Sequence, residues 1–256
     1  ITQQLAYSLA HANEYLNHLG SKVANKINFQ FAVGSNYFFE IAKIRAFRYL
    51  WKLLCNDYSL TIDAHVFAQP SLRNKTLYDY NTNMLRTTTE CMSAILGGAN
   101  TISNVSYDEV YHKKNEFGER ISRNQLLILK EESYFKNAQI FADGTYYIES
   151  LTKEIAEKAL KIFKDIEKSG GLLKQLKEGV IQRKIKESAD KEQAQFDAGD
   201  LVLLGTNKHP NIDDKMNDVL ELYPFAKTKP RKTLIAPIIT KRLAEKIEQE
   251  RLKDEA

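Results

Sequence analysis

Short apolar runs alternating with helical stripes most narrow what this chain can become, and residues 62–109 show the pattern most clearly. The run around Val66 to Ala68 is short enough for a buried strand, and Gln69-Pro70-Ser71 ends it with turn chemistry. From Asn83 the positions Met84, Leu85, Thr88, Cys91, Met92, Ile95 and Leu96 recur at helical spacing, and Gly97-Gly98 closes the helix. Ala99 to Val105 then opens another strand. The polar side chains gather where strands end and loops begin, the place where α/β proteins keep their sites.

The same rhythm runs through most of the chain. Leu5, Leu9, Ala12, Leu16 and Leu19 lie on one side of an opening helix that Gly20 ends. Residues 27–34 read as a strand followed by a helix over 37–54, and 62–69 pairs in the same way with 83–96. Residues 101–105 pair with a helix around 121–134, and 140–142 make a short strand before a helix over 152–168. Such alternation predicts a parallel sheet. Closing a (β/α)8 barrel takes eight units, so about four predict an open, four-stranded sheet. Phe29, Phe31, Val66 and Ala68 are expected to face inward and leave one apolar face uncovered, making the isolated chain prone to aggregate.

A helix with no strand before it is an odd beginning for an α/β protein, and the chain is expected to be a fragment. Gly170-Gly171 divides it by composition into residues 1–169 and 170–256. Beyond the division come a charged helical run over 172–198, a short strand in LVLLGTN (201–207), and a segment containing Pro210, Pro224, Pro230 and Pro237. A charged terminal helix follows. This part reads as a linker that wraps a neighbour.

Composition excludes several classes. With 43% hydrophobic and 27% charged residues in 256, the chain is an ordinary globular one. No apolar run approaches the roughly 20 residues that span a bilayer, and the start lacks the shape of a signal peptide. No membrane association and a cytoplasmic location are therefore expected. The formal charge of +4 comes with interleaved Lys and Glu, a solvated helix pattern that argues against nucleic acid. Cys55 and Cys91 lie on apolar helical faces and read as buried free thiols.

Individual motifs have mostly structural readings. Asp63-Ala64-His65 begins like the D-x-H-x-x-G signature that presents a histidine to cobalt, but Ala68 stands in the glycine position, so His65 reads as a strand residue facing helix or solvent. Arg86 and Glu90 have the spacing of an intrahelical ion pair. No Lys-Ser/Thr follows Gly97-Gly98, which reads as a helix cap and not a phosphate cradle. The five histidines lack metal-ligand spacing. Tyr78, Tyr80, Tyr146 and Tyr147 are expected at a rim or interface. Gln69, Ser71 and Asn83 fall where strand ends meet loops and are candidates for a pocket.

A longer set of segments carries a family resemblance. Gln69-x-Ser71, NKTLYD (74–79), NMLRTTTE (83–90), MSAILGGA (92–99) and YDE (107–109) resemble the substrate domain of the methylmalonyl-CoA mutase family, above all the small chains of its two-chain bacterial members. EIAKIRAFRYLW (40–51), RISRNQLLILKEESY (120–134), GTYYIESLT (144–152) and LLGTN (203–207) extend the likeness over nearly the whole chain. The resemblance implies a partial TIM-type barrel of about four βα units with a helical, charged linker. It also implies an adenosylcobalamin-dependent rearrangement of methylmalonyl-CoA to succinyl-CoA, with a large catalytic subunit as partner and acyl-CoA as a possible ligand.

Catalytic chains of the family carry His-x-Gln-Thr-Ser-Gly-Trp where this chain has Phe67 to Arg73, and His-Thr-Asn where it has Ser103-Asn104-Val105. The resemblance therefore implies a non-catalytic chain that binds no cofactor itself and stabilises the large subunit. Two rivals stand beside it. One is a piece of a working mutase chain that sets Gln69, Asn83 and Glu109 against the corrin; the other is a free-standing α/β binding module.

Overall fold

A computed structural model describes residues 1–227 and 232–255, so Pro230 lies outside the described residues. The chain opens on α1 (Thr2–Leu19), followed by a 3-10 turn, β1 (Asn28–Val33) and α2 (Tyr37–Asp57). Next come β2 (His65–Pro70), α3 (Thr82–Leu96), β3 (Thr101–Ile102) and α4 (Glu116–Leu127). The long α5 (Tyr146–Lys168), short α6 (Leu172–Lys177), α7 (Val180–Asp197) and α8 (Glu245–Asp254) complete the order. Asn36 and Asn115 cap α2 and α4, each side chain accepting from a backbone N–H three residues on.

The sheet is parallel, ordered β1-β2-β3, with Phe29 opposite Val66 and Phe31 opposite Ala68. It is three-stranded among the described residues, not four-stranded. Residues 140–142 lie in a 3-10 segment (Phe135–Ile140) and its following turns, where Phe141 donates to Ala138 and Asp143 to Ile140. β3 is cut short because Asn104 turns its side chain on its own neighbourhood: Oδ1 accepts from the Val105 N–H, and Nδ2 donates to Ser122 and Gln125. LVLLGTN is not a strand but a turn. There Gly205 (φ +77°) donates to the Lys208 carbonyl, and Asn207 Oδ1 accepts from the Leu203 N–H.

The faces of the sheet are the reverse of expectation. Phe29, Phe31, Val33, Val66 and Ala68 are buried against the helices, with the Phe29 and Phe31 rings 4.5 and 4.8 Å from Phe47 and Phe29 4.9 Å from Trp51. The uncovered face carries exposed Asn28, Gln30, Ala32 and His65, with half-buried Phe67 and Gln69. Period two placed the residues in two sets but could not say which set meets helices. That open face is largely polar, which removes the reason for an aggregating apolar surface.

α5 packs along α2 and α1, α6 packs on α1 and α7, and Ala10, Ile166, Leu172 and Ile181 share a small core. The chain beyond α7 lies across the loop that follows β2. Trp51 Nε1 donates to the Ile62 carbonyl, so even the largest buried ring is satisfied.

Two buried lysines sit near the C-terminal ends of β1 and β2. Lys43 Nζ donates to the Ala32 carbonyl (2.6 Å) and pairs with Glu40, while Lys75 Nζ contacts both Glu90 oxygens at 2.8 and 3.0 Å. Burial lowers both lysines and raises Glu90, partly offset by their mutual attraction. Glu90 is thus held by Lys75 and Asn74, not by Arg86 as helical spacing implied. Arg86 instead donates to Thr76, Asn83 and the Leu204 carbonyl. Replacing Glu90 by Ala should leave a buried ammonium unpaired and lower the unfolding free energy by about 3–5 kcal/mol. Urea unfolding measures it, and a loss below about 1 kcal/mol would contradict the pairing.

Candidate functional site

The candidate site lies at the C-terminal ends of β2 and β3 and in the loops beyond them. Ser71 donates its N–H to the Val33 carbonyl (2.7 Å) and accepts from the Arg73 N–H, which turns the chain as it leaves the sheet. Residues 74–78 then run buried, an uncommon state for a loop. Gln69 is half-buried, and its Nε2 reaches Ser103 Oγ at 3.5 Å, the outer limit of a hydrogen bond. Of the three expected residues, Gln69 alone presents polar atoms toward the open side of the sheet.

Asn83 is fully buried inside the first turn of α3. Its Nδ2 donates to the Thr76 carbonyl (2.8 Å) and the Tyr107 carbonyl (3.0 Å). Its Oδ1 accepts from the Thr76 N–H, the Thr76 hydroxyl and Arg86. Both donors and the acceptor are therefore spent within the chain. Glu109 is exposed, and its N–H closes a turn on Ser106 (3.2 Å). Next to it Asp108 is buried and accepts from Asn115 while facing His112 Nδ1 at 3.0 Å. Asn83 is thus buried, Gln69 half-buried and Glu109 exposed.

Residues that sequence reasoning passed over dominate this end of the molecule. Arg73 pairs with Glu192 of α7 and donates to the Lys241 (2.8 Å) and Ala189 (3.4 Å) carbonyls. Arg242 donates to the Lys75 and Pro224 carbonyls and pairs with Glu248 at 2.6 Å; Glu248 in turn accepts from the Leu77 N–H (2.7 Å). The contacts that join the loop to the C-terminal segment span more than 100 residues and left no signal in local spacing.

The tyrosines divide. Tyr78 is buried and donates to Glu255 with Arg251 3.7 Å above its ring, and burial raises its hydroxyl further above the usual range. Tyr146 and Tyr147 are exposed, the Tyr147 ring 5.7 Å from that of Phe38. His65 stands on the open face, 3.2 Å from Thr101 Oγ1, and the described residues include no group of three or more metal-ligating side chains. No described helix is long and apolar enough to cross a membrane.

A three-stranded parallel sheet backed by helices, with polar groups at the strand ends, defines a partial α/β domain. The methylmalonyl-CoA mutase family matches residues 1–254, and the chain belongs to that family. It is 39% identical over 233 residues to the methylmalonyl-CoA mutase small subunit of Porphyromonas gingivalis, covering 87% of this chain and 38% of that protein. Identity is 34% to the methylmalonyl-CoA mutase of Rhizobium meliloti, covering 87% of this chain and 33% of that protein. It is 34% also to the mitochondrial enzyme of Homo sapiens, covering 86% and 31%. The chain thus spans between 31% and 38% of these relatives.

Cys55 and Cys91 are buried free thiols, in agreement with their apolar faces. Burial, with Glu90 next to it, pushes Cys91 up to about 12. Neither cysteine should react with a thiol reagent at pH 8 in the folded chain, and both should react in denaturant. Rapid titration of either under native conditions would contradict the packing.

Proposed function

We propose that this chain is the C-terminal half of the substrate barrel (1–169) and the following linker segment (170–256) of a non-catalytic small subunit of methylmalonyl-CoA mutase. Its work is to pair with and stabilise a larger, cofactor-bearing subunit. The observation that carries this reading is Asn83, whose amide is consumed by Thr76, Tyr107 and Arg86. An amide so engaged has nothing to offer a ligand without unmaking the start of α3.

The relatives' family implies adenosylcobalamin, and the residues present do not fit it. Of Gln69, Asn83 and Glu109, Asn83 has its amide committed within the chain. The loop that a flat macrocycle would approach carries exposed Leu72 and the charged Arg73 fork instead of small or uncharged aromatic groups. No reaction step is assigned to this chain. The name of the Porphyromonas gingivalis relative supports a role within a larger assembly, and the open polar face of the sheet supports the presence of further barrel strands against it.

The test is co-expression of the full-length protein containing this chain with a large mutase subunit, followed by size exclusion and adenosylcobalamin titration of each peak. The chain should co-elute with the large subunit, and alone should leave the corrin absorbance unchanged. Saturable corrin binding by the chain alone would contradict the non-catalytic reading. Separate elution would contradict the pairing.

A further inference from the structure

We propose that Arg73 is a positioning residue that clasps the C-terminal segment over the loop following β2. The segment is thereby part of the native state of this chain and not a free linker. α7 reaches α1 at two places: Ile181 shares the small core with Ala10, and the Lys184 carbonyl accepts from Gln3 near the start of α1. This brings Ala189 and Glu192 to the loop end of the sheet, where the Arg73 fork meets both. A third arm of the fork takes the Lys241 carbonyl, and the Arg73 carbonyl accepts the Leu243 N–H at 2.9 Å. Arg73 thus ties its own loop to two stretches that lie 116 and 168 residues away.

A second arginine completes the arrangement from the opposite side. Arg242 reaches from the segment to the Lys75 carbonyl, so Arg73 and Arg242 cross-brace two strands of loop that run past each other. Beyond them Leu77 donates to Glu248, Tyr78 to Glu255 and the Asp79 N–H to Asp214. A planar guanidinium with donors in several directions can hold three acceptors at once; a lysine ammonium at the end of a flexible stem cannot hold the same set. Gly205 is fitted to the same contact, since a Cβ there would collide with the Asp79 carboxylate.

Hydrogen exchange by mass spectrometry on the full chain tests the clasp, comparing Arg73→Ala, Arg73→Lys and Glu192→Gln with the unaltered protein. Arg73→Ala should speed exchange at least tenfold in peptides over 73–79 and 241–248 while leaving β1 and α2 unchanged. Arg73→Lys should not rescue it. Glu192→Gln, which keeps both carbonyl contacts, should give a smaller effect than Arg73→Ala. Unchanged exchange over 241–248 in Arg73→Ala, full rescue by lysine, or acceleration spread equally through β1 and α2 would each overturn the proposal.

Discussion

A buried loop must find partners for its backbone, and the stretch Asn74 to Tyr78 is buried throughout. Everything at this end of the molecule answers that demand. Asn83 satisfies Thr76 from both sides, Glu90 neutralises Lys75, Arg242 takes the Lys75 carbonyl, and Glu248 takes the Leu77 N–H. Half of these partners come from α3 and half from the last 20 residues of the chain. The loop therefore welds the sheet to a segment far away in sequence, and neither has its hydrogen bonds complete without the other.

This weld explains why polar residues at the strand ends need not form a reactive site. Side chains that look available in sequence, Asn83 and Arg86 above all, are committed to internal structure. Burying the Lys75 and Glu90 charges carries a desolvation cost that only close pairing offsets. Arrangements of that kind resist rearrangement.

Much of the fold was legible in the sequence. Apolar periodicity located α1, α2 and α3 within a few residues, α5 except for its first six residues, and β1 and β2, because those elements are set by local spacing. Turn chemistry also marked the helix end at Gly97-Gly98. What was missed has a common cause. β3 lost residues to the Asn104 side chain, LVLLGTN folded around Gly205 and Asn207, and the sheet faces were assigned in reverse because alternation names two sets without naming their neighbours. Ion pairing failed in the same way: Glu90 chose Lys75 across a loop over Arg86 one turn away. Asn83 was read by its position and not by the partners that only the tertiary structure brings to it.

The central claim is that the loop after β2 and the C-terminal segment are one cooperative unit. Native-state hydrogen exchange on the unaltered chain, followed for the amides of Leu77, Met216 and Leu243, tests it directly. The Leu77 and Leu243 amides bond across the weld to Glu248 and Arg73, and the Met216 amide bonds within the segment to Glu255, which also holds Tyr78. The account predicts that all three open with the same free energy and the same denaturant dependence, as members of one unit do. Free exchange at Met216 and Leu243 while Leu77 stays protected would contradict it.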